Sequence, residues 1–342
     1  MDTNSIIWPA EWQPQSGVQL TWPHEETDWA RDLDQVIPCF VAIAREIVKR
    51  EKLLIVCRNE ADVRQQLGED VDMDEVIFRQ IPSNDTWARD HGGIGVYRDG
   101  VPLLHDFVFN GWGMKYAANL DNRITQRLFF TKAFDPRVKI EFHPLVLEGG
   151  SIESDGQGTL LTTAACLLSF NRNDRTPCAQ IEAYLLKAFG LRRVLRLENG
   201  SLEGDDTDAH VDTLARFCSP DTIAYVQCSD PADEHYSRLQ KMEKELQAFR
   251  QENGMPYRLL PLPMAEKVIH EGKRLPATYA NFLVINGAVL VPFYHSPEDD
   301  RAANVLQTAF PDRQIIGIDS RALILQHGSL HCVTMQYPLD FL

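Results

Sequence analysis

Alternating apolar and polar positions recur along the chain as pairs of short segments separated by turn-forming residues. The first turn contains Asp99 and Gly100, and others fall at 155–158, 219–221 and 286–287. Asp-Gly and Asn-Gly tolerate the positive φ of tight hairpin turns, and period-two alternation is typical of half-buried strands. The pattern therefore predicts four β-hairpins.

The predicted hairpins recur at steps of 57, 64 and 67 residues, counted from position 99 to 156, 220 and 287. A helical stretch and another strand-like run follow each hairpin; in the third unit these span 233–251 and 257–260. A fifth unit would join 331–336 to 18–22. Repeats of this kind are typical of radial folds. We therefore predict an α/β fold, a five-bladed α/β propeller of strand–strand–helix–strand modules, with an open mixed α/β sheet as the alternative.

Composition and charge narrow the classes of partner. The chain has 342 residues, of which 44% are hydrophobic and 24% charged, as in a globular protein. With 34 basic and 49 acidic residues its net charge is -15, which repels nucleic acid and attracts small cations. No apolar run approaches the roughly 18 residues of a membrane span, and the first residues lack a secretory pattern. We expect neither a nucleic-acid nor a membrane partner.

The seven cysteines are scattered and include no Cys-x-x-Cys pair. This pattern favours reduced thiols, and hence a cytoplasmic protein, over a disulfide framework or a zinc site. Cys39, Cys57 and Cys166 lie in apolar runs and are interpreted as small buried residues. The oligomeric state stays open, with a homodimer as one option.

Cys332 differs from the other cysteines because three distant segments rich in acids and imidazole accompany it. Asp90, Glu148 and His210 precede their hairpin turns by eight to ten residues, counted to 99, 156 and 220. We place each at the start of the first strand of its hairpin, where equivalent positions of a radial repeat face one end of the axis. A thiol, a histidine and carboxylates around one pocket suit the hydrolysis of a cationic guanidinium group.

Each of these residues has a predicted role and an alternative. Cys332 is the candidate nucleophile, ionised as the cationic substrate arrives, and His210 is the candidate proton shuttle. Asp212 would share one face of a strand with His210 and clamp the guanidinium together with Asp90. An Arg89–Asp90 ion pair is the alternative for Asp90. A zinc site of Asp, His and Cys is a further alternative, but the compact spacing of zinc ligands does not appear.

Three other side chains complete the predicted site. Glu148 would hold His210 in its working tautomer, with a strand-end bulge at the following glycines as the compatible alternative. Trp87 and Trp112 could pack on the substrate's aliphatic stem or on the guanidinium face, as could Tyr116. Core packing is an equally good interpretation of all three rings.

The motifs together resemble the agmatine deiminase family, relatives of the bacterial-type peptidylarginine deiminases among the guanidino-group-modifying enzymes. The resemblance covers most of the chain and runs through these segments: 21–24, 85–90, 109–116, 147–152, 155–159, 166–173, 210–217, 279–282 and 328–334. Ala209, Met114 and Ser329 stand where the family usually has glycine, and 91–93 lacks the usual proline. These departures leave every reacting atom in place.

The resemblance implies a five-bladed α/β propeller and a single catalytic domain over 1–342. It implies that Cys332 attacks the guanidinium carbon of a small cationic substrate and that His210 protonates the departing ammonia. A thiouronium intermediate is then hydrolysed, with Asp90 and Asp212 binding the guanidinium and Glu148 orienting His210, without a cofactor or metal. We expect conversion of agmatine to N-carbamoylputrescine in putrescine biosynthesis. The alternatives are deimination of peptidyl arginine and non-catalytic binding of guanidino compounds or polyamines.

Overall fold

The structure is a computed structural model that describes residues 5–174 and 176–342. Within these ranges the strands are β1 Ile6–Ile7, β2 Gln15–Thr21, β3 Lys52–Cys57, β4 Val76–Gln80, β5 Ile94–Arg98, β6 Val101–Val108, β7 Lys139–Val146, β8 Ile152–Ser154, β9 Thr159–Thr163, β10 Arg193–Leu197, β11 Ala215–Ser219, β12 Thr222–Val226, β13 Arg258–Leu262, β14 Ile269–His270, β15 Lys273–Arg274, β16 Leu283–Ile285, β17 Ala288–Phe293, β18 Gln314–Asp319 and β19 Thr334–Pro338. The α-helices are α1 Leu33–Val48, α2 Glu60–Leu67, α3 Ala88–His91, α4 Gly111–Met114, α5 Ile124–Phe130, α6 Ala164–Leu167, α7 Cys178–Phe189, α8 Tyr236–Ala248, α9 Asp299–Ala309 and α10 Arg321–Ile324.

Five sheets repeat one topology. In each, an antiparallel pair of strands is extended by a third strand that runs parallel to the second, and a helix lies in the connection. The sheets are β5-β6-β7, β8-β9-β10, β11-β12-β13, β16-β17-β18 and β19-β2-β3, with β1 and β4 as additional edge strands. The α/β class and the five strand–strand–helix–strand modules are therefore confirmed, and the single open sheet is wrong.

The fifth module joins the two ends of the chain, as the sequence predicts. β19 runs antiparallel to β2, with Thr334 opposite Leu20 and Gln336 opposite Val18. The boundaries differ from the prediction because 331–333 belong to the turn that precedes β19, not to the strand. In the third module, α8 and β13 fall close to the predicted 233–251 and 257–260.

The helices pack one apolar face against the sheets. In α1 the buried positions include Val36, Phe40, Ile43 and Ile47, which recur every three or four residues on one side of the helix. The middle strands β9 and β12 are buried along their whole length, as expected for strands covered on both faces. No helix in residues 5–174 and 176–342 combines the length and the apolar character that crossing a bilayer requires.

A buried side-chain hydrogen bond joins the two antiparallel strands of the fifth module, in addition to their backbone pairing. The Tyr337 hydroxyl donates to Gln19 Oε1 at 2.6 Å, and both residues are fully buried. We expect Tyr337→Phe to lower the free energy of unfolding by about 1–3 kcal/mol, because Gln19 loses a partner where water cannot replace it. Denaturant unfolding followed by circular dichroism measures the change.

The matched control is Tyr97→Phe. Its hydroxyl also donates across the chain, to the Leu339 carbonyl at 2.6 Å, but from a partly exposed position. Water can replace that bond, so the control should change stability by less than about 1 kcal/mol. Equal losses in the two variants would contradict a special role for the buried bond.

Candidate active site

A short turn precedes the first strand of every module, and these five turns carry the polar side chains of the candidate site. The turns of the first three modules, which begin at α3, Gly149 and Val211, pack against one another in succession. In chain order the turns contribute Asp90, Glu148, His210 with Asp212, Asn281 and Cys332. The repeat thus delivers residues that are distant in sequence to one place.

The prediction that these residues open the strands themselves is wrong. His210 and Asp212 do not lie on a strand, because β11 begins only at Ala215. His210 precedes a 3-10 turn, in which the Thr213 backbone N–H and hydroxyl donate to the His210 carbonyl at 3.2 and 2.8 Å. Both side chains nevertheless reach the cluster, since the turn, not strand alternation, brings them together.

The Cys332 thiol lies between a carboxylate and an amide. Its Sγ is 3.9 Å from Asp212 Oδ2 and 3.4 Å from Asn281 Oδ1. The same Asn281 oxygen accepts the backbone N–H groups of His331 and Cys332 at 2.9 and 3.3 Å. The amide therefore fixes the turn that carries the thiol as well as the thiol itself.

His210 lies between two carboxylates on the other side of the cluster. Its Nδ1 is 3.6 Å from Asp90 Oδ1, and its Nε2 is 3.5 Å from Glu148 Oε2. The imidazole is fully buried, and neither ring nitrogen has a hydrogen-bond partner among the described residues. Glu148 is itself held by Arg172, whose Nε contacts both carboxylate oxygens at 2.9 and 2.7 Å. Glu148 therefore lies within reach of the ring, and its role in orienting His210 stays a prediction.

Gly150 lies where three of the reactive groups converge. A methyl group at its Cα would be 2.7 Å from His210 Nδ1, 2.8 Å from Asp90 Oδ1 and 3.0 Å from Asp212 Oδ2. Its backbone N–H donates to Asp90 Oδ1 at 3.1 Å. The glycine is therefore required by close approach, since any side chain would displace the imidazole or a carboxylate.

Burial and charge hold the thiol in its neutral form. Burial raises the pKa of Cys332 well above the usual range, and the charges of Asp212 and Asp90 raise it further. Burial also raises the pKa of Asp90 to about 6, partly offset by His210. The empty site therefore disfavours the thiolate, and a bound cation would reverse this balance.

His210 is favoured as a cation despite its burial. Burial alone lowers its pKa, but Asp90, Cys166 and Glu148 together raise the pKa of His210 well above the usual range. Glu148 stays ionised, because His210 and Arg172 outweigh the opposite effect of burial and lower its pKa. The imidazolium is thus available as a proton donor within the cluster.

A cavity of about 480 Å³ opens from the thiol to the surface. Trp87 and Trp112 form its aromatic walls, and the Trp112 indole N–H donates to Asp90 Oδ2 at 2.9 Å. Tyr116 lies nearer the mouth, where its hydroxyl donates to Asp206 Oδ2 at 2.8 Å. Trp87, Trp112 and Tyr116, for which the sequence allowed either core packing or substrate contact, line the pocket. Trp112 also orients the Asp90 carboxylate.

Several residues of the site escaped sequence reasoning. Asn281 precedes the turn at 286–287 much as the other site residues precede theirs, so the repeat itself could have pointed to it. Cys166 is buried, as predicted, but its Sγ lies 3.7 Å from Glu148 Oε2 within the cluster. Arg172 and Glu11 reach the cluster from outside the five turns, and their local sequence gives no signal of this.

At two positions where the chain departs from the family pattern, the residue adopts an unfavourable backbone conformation. Ala209 and Met114 adopt φ values of 65° and 66°, in the left-handed region that favours glycine. This explains why a glycine is the usual residue at both positions. Ser329, in contrast, contributes a contact of its own, at 2.8 Å between its hydroxyl and that of Tyr294.

One group of donors inside the site has the spacing of metal ligands. Glu148, Cys166 and His210 offer donor atoms within 4.8 Å of one another. Arg172 already occupies both oxygens of Glu148, so a metal ion would have to compete with that guanidinium. The expectation of metal-free chemistry therefore stays a prediction.

The repeated α/β modules and the buried thiol–imidazole–carboxylate cluster define a class of enzymes that act on guanidino groups. Residues 7–338 match the family described as Porphyromonas-type peptidyl-arginine deiminase, and the chain belongs to that family.

Similar proteins cover nearly the whole chain. A putative agmatine deiminase of Vibrio parahaemolyticus is 35% identical over 98% of this chain and 97% of its own. The crystal structure of a putative arginine deiminase from Porphyromonas gingivalis is 54% identical with a TM-score of 0.95, covering 99% of this chain and 100% of that one. A serine-for-cysteine variant of C. jejuni agmatine deiminase with substrate bound is 38% identical with a TM-score of 0.92, covering 98% and 97%.

The environment of Cys332 predicts its reactivity. Because the pKa of the thiol is raised, the thiolate is scarce at neutral pH, and we expect alkylation by iodoacetamide to be slow at pH 7 and still rising at pH 9. Asp212→Asn removes a nearby negative charge and should speed alkylation at pH 8 by about tenfold, the effect of one pKa unit. Mass spectrometry of the Cys332 peptide measures the rate.

Asp221→Asn on an exposed hairpin turn is the control and should leave the Cys332 rate unchanged. A wild-type rate that reaches its plateau below pH 7 would show that the site stabilises the thiolate, contrary to the expectation.

Proposed function

We propose that the chain is a hydrolase that converts agmatine and water to N-carbamoylputrescine and ammonia. The observation that carries this proposal is the distribution of charge along the cavity. Asp90 and Cys332 line the cavity, with Asp212 beside the Cys332 sulfur, and Asp85, Asp206 and Asp28 also line it. Agmatine is cationic at both ends, so both halves of the cavity match it.

The cavity also fits the neutral middle of such a substrate. Trp87 and Trp112 present flat apolar surfaces between the two acidic regions, where four methylene groups would pass. A peptidyl arginine would instead place its amide backbone, or a terminal carboxylate, among Asp85, Asp206 and Asp28. The acidic outer region therefore favours the diamine-like substrate, although Arg31 and His327 also line it.

The reaction begins when the guanidinium binds between Asp90 and Asp212. The cation offsets the carboxylate charges, the Cys332 thiol releases its proton to solvent through the cavity, and the sulfur forms a bond to the guanidinium carbon. His210 donates a proton to one nitrogen, the C–N bond breaks, and ammonia leaves. The product of this step is a thiouronium linked to Cys332.

Water completes the cycle. The now neutral His210 takes a proton from water as the oxygen attacks the thiouronium carbon, and the C–S bond breaks. The remaining proton of the attacking oxygen passes to the departing sulfur, which restores the Cys332 thiol, and the neutral ureido product leaves. Glu148, held by Arg172, keeps the His210 ring in one orientation through both proton transfers.

The setting of the reaction follows from the thiols and the product. All seven cysteines are free, which suits a reducing compartment such as the cytoplasm. N-carbamoylputrescine lies one hydrolysis step from putrescine, so we assign the chain to putrescine biosynthesis. A small guanidino cation is the partner proposed for the site.

The test is a comparison of substrates. Ureido-product formation is measured with agmatine, free arginine and a peptide ending in arginine. We expect kcat/KM for agmatine to exceed the other two by at least about tenfold, corresponding to about 1.4 kcal/mol of differential binding. Turnover of the peptide without turnover of agmatine would show peptidyl-arginine deimination instead.

Cys332→Ser separates an enzyme from a binding protein. It should abolish turnover while calorimetry still detects agmatine binding, because the carboxylates remain. The control is Cys178→Ser, which should keep the wild-type kcat. Cys178 is half-buried, lies outside the site and forms a hydrogen bond with Glu182. A wild type that binds agmatine without releasing ammonia would support the non-catalytic alternative.

Gly150→Ala tests the packing of the reactive groups. The added methyl would come within 3.0 Å of His210, Asp90 and Asp212, so kcat/KM should fall by about 100-fold or more. The matched control is Gly95→Ala, whose methyl would lie 2.6 Å from Pro338 Cδ and 3.0 Å from Phe341 Cζ. The control should lose thermal stability but keep kcat/KM per folded molecule. Similar activity in both variants would contradict the packing argument.

A further inference from the structure

His331 occupies a position that the reaction described above does not use. It immediately precedes the nucleophile, is fully buried, and contacts carboxylates at both ring nitrogens. Its Nδ1 lies 2.8 Å from Asp212 Oδ2, and its Nε2 lies 2.8 Å from Glu11 Oε2. The imidazole therefore bridges the substrate-binding carboxylate to a second carboxylate behind the site.

The contact with His331 decides which oxygen of Asp212 is available. Oδ2 is taken by the histidine and faces Cys332, whereas Oδ1 is buried without a hydrogen-bond partner among the described residues. A buried carboxylate oxygen without a partner is costly unless a ligand supplies one. Oδ1 is thus left able to accept a hydrogen bond, in an orientation that the contact of Oδ2 with His331 fixes.

Glu11 holds the far side of the imidazole. Its Oε2 accepts from His331 and from Arg216 Nη2 at 2.8 Å, and its Oε1 accepts the Val284 backbone N–H at 2.7 Å. Arg89 Nη2 lies 3.8 Å from the same carboxylate. Glu11 therefore has little freedom to move, and neither has the ring that it contacts.

We propose that His331, held by Glu11, is a positioning residue that aligns the Asp212 carboxylate for the guanidinium group. This inference rests on the proposed function and adds to it the source of the orientation of Asp212. Histidine suits the task because its two nitrogens, on opposite sides of a rigid ring, reach both carboxylates at once. An Asn or Gln side chain at this position could contact only one of the two carboxylates.

Two amide substitutions separate the two contacts. The Asn amide nitrogen occupies about the place of Nδ1 and can still donate to Asp212, whereas the longer Gln amide reaches towards Glu11. We expect His331→Gln to raise KM for agmatine by about tenfold or more, with kcat changed less, because ground-state and transition-state contacts to the guanidinium are both weakened. His331→Asn should recover most of the KM. Glu11→Gln should raise KM by about threefold, since the amide keeps the shape but weakens the hold on the ring.

The control is another buried histidine with both ring nitrogens bonded. His143 contacts the Tyr184 hydroxyl at 2.8 Å and His105 Nδ1 at 2.5 Å, on β7. His143→Gln should lower the melting temperature, as any loss of a buried bonded imidazole does, but should leave KM within twofold of the wild type. A KM shift in both histidine variants, or equal KM values for His331→Asn and His331→Gln, would overturn the proposal.

A second measurement is independent of turnover. Guanidinium chloride at up to about 50 mM, far below the concentrations that unfold proteins, should protect Cys332 from iodoacetamide. The concentration needed for half-protection should rise about tenfold in His331→Gln and stay unchanged in His143→Gln. Equal protection in wild type and His331→Gln would overturn the positioning role even in an inactive protein.

If wild type hydrolyses neither agmatine nor peptides, the proposed function fails, and protection alone decides the role of His331. If His331→Gln does not fold, the same protection measurement is made with His331→Asn and Glu11→Gln.

Discussion

The structure depends on the neutralisation of carboxylates that are buried at its centre. Glu11, Asp90, Glu148, Glu153 and Asp212 are all withdrawn from water, where an unpaired charge would cost several kcal/mol. Each is set beside an arginine or a histidine, and these partners are Arg89, Arg172, Arg216, His210 and His331. Among the described residues Asp212 Oδ1 has no hydrogen-bond partner, so the neutralisation is incomplete at the carboxylate that lies beside Cys332.

This arrangement explains how a site can be acidic and still be part of a stable core. Arg216 contacts both Glu11 and Glu153, and Arg172 contacts both Glu148 and Asp208. The arginines lie behind the carboxylates, not between them and the cavity. Asp90 therefore lines the cavity, while Arg89, Arg172 and Arg216, which stabilise the buried carboxylates, are not among its lining residues.

Much of the fold could be predicted from sequence, because hairpin turns and strand alternation are local signals. Asp99-Gly100 and Asn286-Gly287 lie between paired strands as predicted, and the module count follows from their spacing. The exact placement of His210 and Asp212 could not be predicted, because the 3-10 turn before β11 depends on contacts made by Thr213 and by neighbouring modules. Alternation over three residues cannot distinguish a strand from such a turn.

The membership of the site could be predicted only in part, for a similar reason. Cys332, His210, Asp90, Asp212 and Glu148 are recognisable because their residue types are chemically reactive. Asn281 is not chemically reactive, and only its position before the turn at 286–287 points to it. Glu11 lies 321 positions before Cys332 in the numbering, so only the folded chain brings Glu11 to the site. Residues that act by holding another side chain leave little trace in the sequence around them.

The contribution of one turn from every module has a consequence for how the protein loses activity. A constellation shared by five units survives only while all five are docked, so the earliest local opening in any one of them disperses it. The chemistry is therefore governed by the weakest module, whereas the overall secondary structure reflects the average of all five. Heat inactivation thus reports the opening of the first module, and spectroscopic melting reports the average over all five.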